Sequence, residues 1–222
     1  MQSVGEPVLS MLRLILSRDH WRPSLAFLLV GLTVLVPTAR AISVIPPKFT
    51  ELVSGSDFVV RTVVKSVKSE WRESHGQRHI YTLVEFTVTE VVTGTPPQPL
   101  VLRILGGRVG NDEMIVEGAP QFVVGQEDIL FVRGNGKQFF PLTAVTHGRY
   151  PVVKDAQTGR VYMARNNGEP LQAVTDVAKP LTEGGAKDAP TQAKTVAQAL
   201  TPAQFIQQIR AAMGAKTNAH VN

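Results

Sequence analysis

From His79 to Gly94 the chain alternates with a period of two. Ile80, Thr82, Val84, Phe86, Val88, Glu90 and Val92 fall on one face, and Tyr81, Leu83, Glu85, Thr87, Thr89 and Val91 on the other. This pattern, rich in β-branched and aromatic residues, predicts a strand and fits no helical template. The run is well beyond the usual strand length of ~5–6 residues, so it is expected to bend and to serve two sheets or both sides of a barrel. Other apolar runs can pair with it. Phe58–Val67 sets Phe58, Val60, Thr62 and Val64 against Arg61 and Lys65, and Leu100–Leu105 and Asp128–Arg133 are further strands. Phe139–Val145 is expected as a fifth, with Pro141 marking an edge or a bulge. Tyr150–Lys154 and Arg160–Ala164 flank Asp155–Gly159, a hairpin signal. The polar stretch Lys68–Arg78, with Gly76 inside it, reads as a long hairpin connection, and Arg108–Val124 reads as a long loop opened by Gly106-Gly107.

Two helical patterns frame these strands. Phe49, Leu52 and Val53 have i, i+3, i+4 spacing, and Gly55 is placed to end a short helix. Near the other end Thr201 suits an N-cap, Pro202 the first helical position and Gln204 a capping box, with Leu200 and Phe205 at the two sites of a hydrophobic staple. Phe205, Ile209, Ala212 and Met213 then form an apolar stripe. A helix of ~13 residues is marginal alone in water, so it is expected to dock. The intervening residues 167–199 are rich in Gly, Pro, Ala, Thr and Lys and are expected to form a flexible linker.

Residues 1–41 read as a secretory signal peptide. Arg13, Arg18 and Arg22 flank the apolar run Leu25–Val36, Pro37 breaks it, and Ala39-Arg40-Ala41 offers small residues at a cleavage site. The run is too short to span a ~30 Å hydrocarbon core comfortably as a helix. Cleavage after Ala41 leaves no stable membrane anchor and predicts an exported, periplasmic or extracellular protein. The expected organisation is a signal peptide at 1–41, a β-barrel domain at 42–166, a linker at 167–199, a helix at 200–214 and a disordered tail at 215–222.

Composition narrows the chemistry. The 222 residues include no cysteine, which excludes disulfides, thiolate metal sites and a cysteine nucleophile. The formal net charge is +5, and outside residues 1–41 it is 19 basic residues against 16 acidic, with no basic block. A mixed surface of this kind gives no footprint for nucleic acid.

Each candidate motif has a bland competitor. Gly106-Gly107-Arg108-Val109-Gly110 follows a strand, but the phosphate-loop Lys-Ser/Thr is missing and no helix pattern follows; a glycine turn is the better reading. His75 and His79 are four apart, with Glu73 as a third conceivable ligand, yet His79 opens a strand and the HExxH glutamate is missing. His147 has no serine nucleophile elbow to serve. Asp112-Glu113 and Glu127-Asp128 are paired acids in or beside loops, where solvation is the default. Trp71 stands in the polar connection as either a lid over a barrel end or a recognition residue.

The order of short helix, SDFVV strand, long strand ending V-T-G, LVLRILGG strand and VVGQEDILFV resembles OB-like barrels of the netrin and tissue-metalloproteinase-inhibitor type. It is more similar to uncharacterised exported bacterial domains that share Glu51-Leu52-Val53, Ser56-Asp57, Gly106-Gly107, Gly118-Ala119-Pro120 and Gly125-Gln126-Glu127. The resemblance spans about residues 48–165 and implies an OB-like fold. The animal inhibitors depend on cysteines, including one at the mature N-terminus that binds the protease metal, so no inhibitory residue carries over to this chain.

The expected fold is mainly β, an OB-like barrel of five or six strands with a short N-terminal helix and a C-terminal helix; a β-sandwich is the alternative. The expected function is a non-enzymatic exported module that binds a protein or glycan ligand, with Trp71, Arg108, Met114 and Ile115 as binding residues and no cofactor. The alternative is an envelope hydrolase, metal-assisted through His75, His79 and Glu73.

Overall fold

The computed structural model describes residues 45–74, 76–181 and 189–219. The signal-peptide expectation for residues 1–41 and the position of His75 lie outside the described residues.

Six antiparallel strands form one sheet. A short helix α1 (Phe49–Ser54) leads into β1 (Phe58–Ser74) and β2 (Gln77–Gly94), followed by β3 (Leu100–Leu105). A small hairpin, β4 (Gly107–Val109) with β5 (Asp112–Met114), comes next, then β6 (Glu127–Val132), β7 (Arg149–Lys154) and β8 (Val161–Met163). The order across the sheet is β3-β2-β1-β6-β7-β8, and β4-β5 forms a separate two-stranded ladder. The chain is therefore mainly β, but among the described residues six strands in one sheet do not make the two-layer sandwich held as the alternative, and the ladders close no barrel. Two helices follow, α2 (Ala189–Gln198) and α3 (Pro202–Ala219).

The sheet curls where the β1–β2 ladder shifts register, at Val59/Val60, Arg61/Thr62 and Val64/Ser66, with Val92 and Thr89 the extra residues in β2 and Lys65 the extra residue in β1. An extra residue in one strand bends it and raises its twist. The concave face gathers Phe58, Val60, Val64, Val84, Phe86, Leu100, Leu102, Ile104, Leu130, Val132 and Leu142 into one core. The faces expected for β1 and for β2 as far as Val88 are thus observed, with Phe86 buried and Thr87 exposed. The register shifts reverse the phase of β2 beyond Val88: Val92 packs in the second core and Glu90 faces Arg210, against the single face expected for Ile80–Val92.

The convex face holds a second core. Val59, Ile129, Phe131 and Tyr150 from the sheet pack with Leu52, Val53, Leu171, Phe205, Ile206 and Ile209. Phe205 lies against Tyr150 with ring centroids 4.9 Å apart and against Phe131 at 6.0 Å. The helix signals at 200–205 act as expected: Thr201 N–H donates to Gln204 Oε1 at 2.9 Å, and Gln204 N–H donates to Thr201 Oγ1 at 3.3 Å. An ion pair between Arg210 and Glu90, 2.8 Å, ties α3 to β2. Because alternate residues of β6 serve opposite cores, its run Asp128–Val132 is buried throughout.

Several expectations are corrected. Lys68–Arg78 is not a loop, because β1 runs to Ser74 and β2 begins at Gln77, so its polar residues belong to two strand arms that extend beyond the core. Phe139–Val145 forms no strand; only Leu142 bridges to Val132. The Arg108–Val124 loop contains the β4-β5 hairpin. The linker expected at 167–199 is largely structured. Leu171 and Val177 are fully buried, Leu200 N–H donates to Leu171 O at 2.8 Å, and Leu171 N–H donates to Met163 O at 2.9 Å. The tail expected at 215–222 is helical as far as Ala219.

Candidate functional site

The hairpin arms of β1 and β2 supply the floor of a groove. Val67 pairs with Val84 and Ser69 with Thr82, so their side chains share one face. Thr82 is fixed by two bonds: its hydroxyl donates to Gly106 O at 2.7 Å, and Ser69 Oγ lies 3.0 Å from Thr82 Oγ1. Directly over this pair the chain doubles back at Gly106-Gly107. Both glycines have positive φ, +100° and +136°, and a Cβ on Gly107 would overlap the Ser69 and Thr82 hydroxyls. Only glycine allows this close approach of main chain to side chains. The glycine run read as a turn is therefore a crossing point that lays β4-β5 over the arms.

The resulting groove encloses about 290 Å³ between the floor and the 107–122 segment. Val84 and Ile104 line its depth, Val116 and Phe122 its far wall, and Arg108, Met114 and Ile115 its rim. Arg108 and Glu113 face each other across β4-β5, Arg108 Nη2 donating to Glu113 Oε2 at 2.8 Å, and both are solvent-exposed. Ile115 is 83% exposed, an aliphatic side chain at the mouth of a groove whose lining mixes polar and apolar groups. Three of the four residues expected to bind, Arg108, Met114 and Ile115, are thus brought together. Trp71 stands one strand pair farther along the same face, opposite Ile80, outside the lining and beneath the Arg78 guanidinium at 4.9 Å.

The far wall is held by Arg149, which sequence reading did not single out, acting on Asp128, which it took for a solvated acid. Asp128, on the concave side of β6, is fully buried, correcting its expected solvation. Arg149 Nε donates to Asp128 Oδ1 at 2.9 Å. The same guanidinium donates to the Gln121 carbonyl and, at 2.7 Å, to Gln126 Oε1. It lies 4.4 Å from the centroid of Phe122, whose ring meets Phe86 edge-on at 5.3 Å. Arg149 therefore gathers β6, β7 and the 121–126 segment around one charge. Burial pushes the Asp128 carboxyl above its ordinary value, and the Arg149 charge pulls back part of that rise. The available signal was the phase of the β6 run, which places Asp128 on the face of Leu130 and Val132.

The metal-site alternative loses its geometry. Glu73 pairs with Arg78 and Arg72 with His79, so Glu73 and His79 occupy successive strand pairs and point to opposite faces. His147 is buried, with its pKa lowered by burial and then by the Arg165 charge. Asp112 and Glu113 lie at the exposed tip of the small hairpin, remote from Asp128 in the core. A second concavity, about 370 Å³, lies between the Asp155–Arg160 turn and α2. Its polar groups serve the fold: Asp155 accepts from Thr158 N–H at 2.7 Å, and Arg160 donates to Ala199 O at 2.9 Å.

Comparison with protein-family models gives no match, and comparison with curated proteins gives none either.

Proposed function

We propose that this chain is an exported, non-catalytic binding module that takes an aliphatic segment of a protein ligand into the groove beneath β4-β5. The exposed Ile115 at the mouth of this groove of mixed polar and apolar lining carries the reading, since a large aliphatic left in water at a concave site marks a recognition surface. A protein segment, which brings amide groups as well as aliphatic side chains, suits a lining of mixed polar and apolar surface, and Trp71, the aromatic that would stack on a sugar, stands outside it. Export rests on the charged flank, short apolar run and Ala-x-Ala pattern of residues 1–41.

The fold reading is an OB-like barrel in which irregular chain takes the place of a closing strand. In support, Leu105 N–H donates to Phe139 O at 3.0 Å, Asn135 Nδ2 donates to Val101 O at 2.8 Å, and Leu142 bridges to Val132. Residues 134–142 thereby link the β3 edge with β6 around the concave core.

A random peptide library displayed on phage tests the ligand class. Selected peptides should converge on an aliphatic core and lose at least about tenfold in affinity for Ile115→Glu, the cost of placing a charge in a desolvated contact. Peptides that bind Ile115→Glu as well as the wild type overturn the reading.

A further inference from the structure

One side of β1 is unoccupied over half its length. β2 lines the strand from end to end, but β6 pairs with the opposite side only over Phe58–Val63, and Val64 ends that ladder with bonds to Gly125 and Gln126. From Lys65 to Glu73, no main-chain partner occupies this side among the described residues. An open strand edge is a template for another strand. We propose that this edge pairs antiparallel with the same edge of a second copy, joining two sheets through β1 about a two-fold axis at Ser69.

The backbone orientation permits it. Ile80 O accepts from Gly106 N–H, on the side away from β1. In an antiparallel ladder this makes Trp71↔Ile80 a non-hydrogen-bonded pair, and by alternation Ser69↔Thr82 and Val67↔Val84 as well. Val67, Ser69 and Trp71 therefore turn their N–H and C=O groups toward the open edge. An added antiparallel strand must set such outward residues opposite outward residues, which leaves a few registers.

Charge selects among them. Centred on Ser69, the segment Val67–Trp71 is complementary to itself: Lys68 faces Glu70 of the second copy and Val67 faces its Trp71, each occurring twice, while Lys65 is the bulged residue of β1 and already pairs with Glu85 at 2.7 Å. Centred on Lys68, that lysine meets itself. Centred on Glu70, the glutamate meets itself and Lys68 meets Arg72. Like charges directly opposite are destabilising and opposite charges favourable, so the Ser69 register stands out from both neighbours. Lysines on an edge deter indiscriminate pairing, and here Glu70 occupies the position that a copy of the same sequence neutralises. The pairing also adds apolar contact: Val67 is 39% exposed and Trp71 half-buried in the single chain. Because this two-fold is perpendicular to the sheet, both grooves open on the same face of the joined sheet, one on each side of the axis. The proposal is independent of what the groove binds.

Sedimentation of the purified full chain over a range of concentrations tests it. The 24.1 kDa chain should associate to twice that mass. Lys68→Glu, an exposed position, sets Glu against Glu70 twice and should weaken the dimer about tenfold or more. Exchanging both charges, Lys68→Glu with Glu70→Lys, should restore it. A wild-type chain that stays monomeric overturns the proposal. So does a dimer indifferent to Lys68→Glu, or one that the double exchange fails to recover.

Discussion

Replacing Arg149 with methionine removes the charge that gathers the groove wall while keeping a side chain of similar length. Asp128 is fully buried, and its Oδ2 already has no hydrogen-bond partner, so Arg149 is its principal compensation. Removing one member of such a pair leaves an uncompensated buried charge and costs about 3–5 kcal/mol. The Gln121 carbonyl and Gln126 side chain lose a donor as well. Arg149→Met is therefore expected to lose about 3–5 kcal/mol in urea denaturation. The 119–124 wall should also exchange its amide hydrogens faster than β2 does. Arg149→Met with Asp128→Leu removes both charges and should recover most of the loss, since a packed apolar pair is often as stable as a buried ion pair. A single variant within about 1 kcal/mol of wild type would refute the reasoning, as would a double variant no better than the single.

Two further expectations follow from burial. Phe86→Ala should cost about 3–5 kcal/mol in denaturant melts and Thr87→Ala much less, because only Phe86 faces the concave core; equal losses would refute that assignment. Burial and the Arg165 charge hold His147 below its ordinary 6.5, so the unfolded chain takes up its proton first as pH falls. Its stabilising contribution is complete above about pH 6.5 and is lost as pH drops toward the lower folded value; His147→Gln should flatten the stability slope in that window, and an unchanged slope would refute the assignment.

What could be read from sequence was what repeats locally. Alternation located β1, β2 and β3 and their buried faces except beyond Val88, where the register shifts in β2 reverse its phase, and the Thr201–Phe205 cap located the start of α3, because both signals lie within a few residues of chain. The Lys68–Arg78 arms were misread for a physical reason: strands that leave the core are wet on both faces, so their composition imitates a loop. Leu171 and Val177 were missed because single apolar residues in irregular chain have no period; Leu171 is placed by main-chain bonds to Met163 and Leu200, and both pack in the core shared with α1 and α3. The groove was half visible, as Arg108, Met114 and Ile115. Its anchor was not, since Arg149 and its partners Asp128, Gln121 and Gln126 are tens of residues apart and no spacing rule joins them.

The two faces of the sheet differ in how far the chain must travel to cover them. The concave core is assembled from residues between Phe58 and Leu142, whereas the convex core reaches from Leu52 to Ile209. Closing the longer loop costs more entropy and slows the contacts that depend on it. The curled sheet should therefore form first and stand for an interval with Val59, Ile129, Phe131 and Tyr150 uncovered, an exposed apolar surface of the kind that makes folding intermediates adhesive. Phe205 and Ile209 end that interval, which makes α3 a built-in chaperone for the sheet on which it comes to rest.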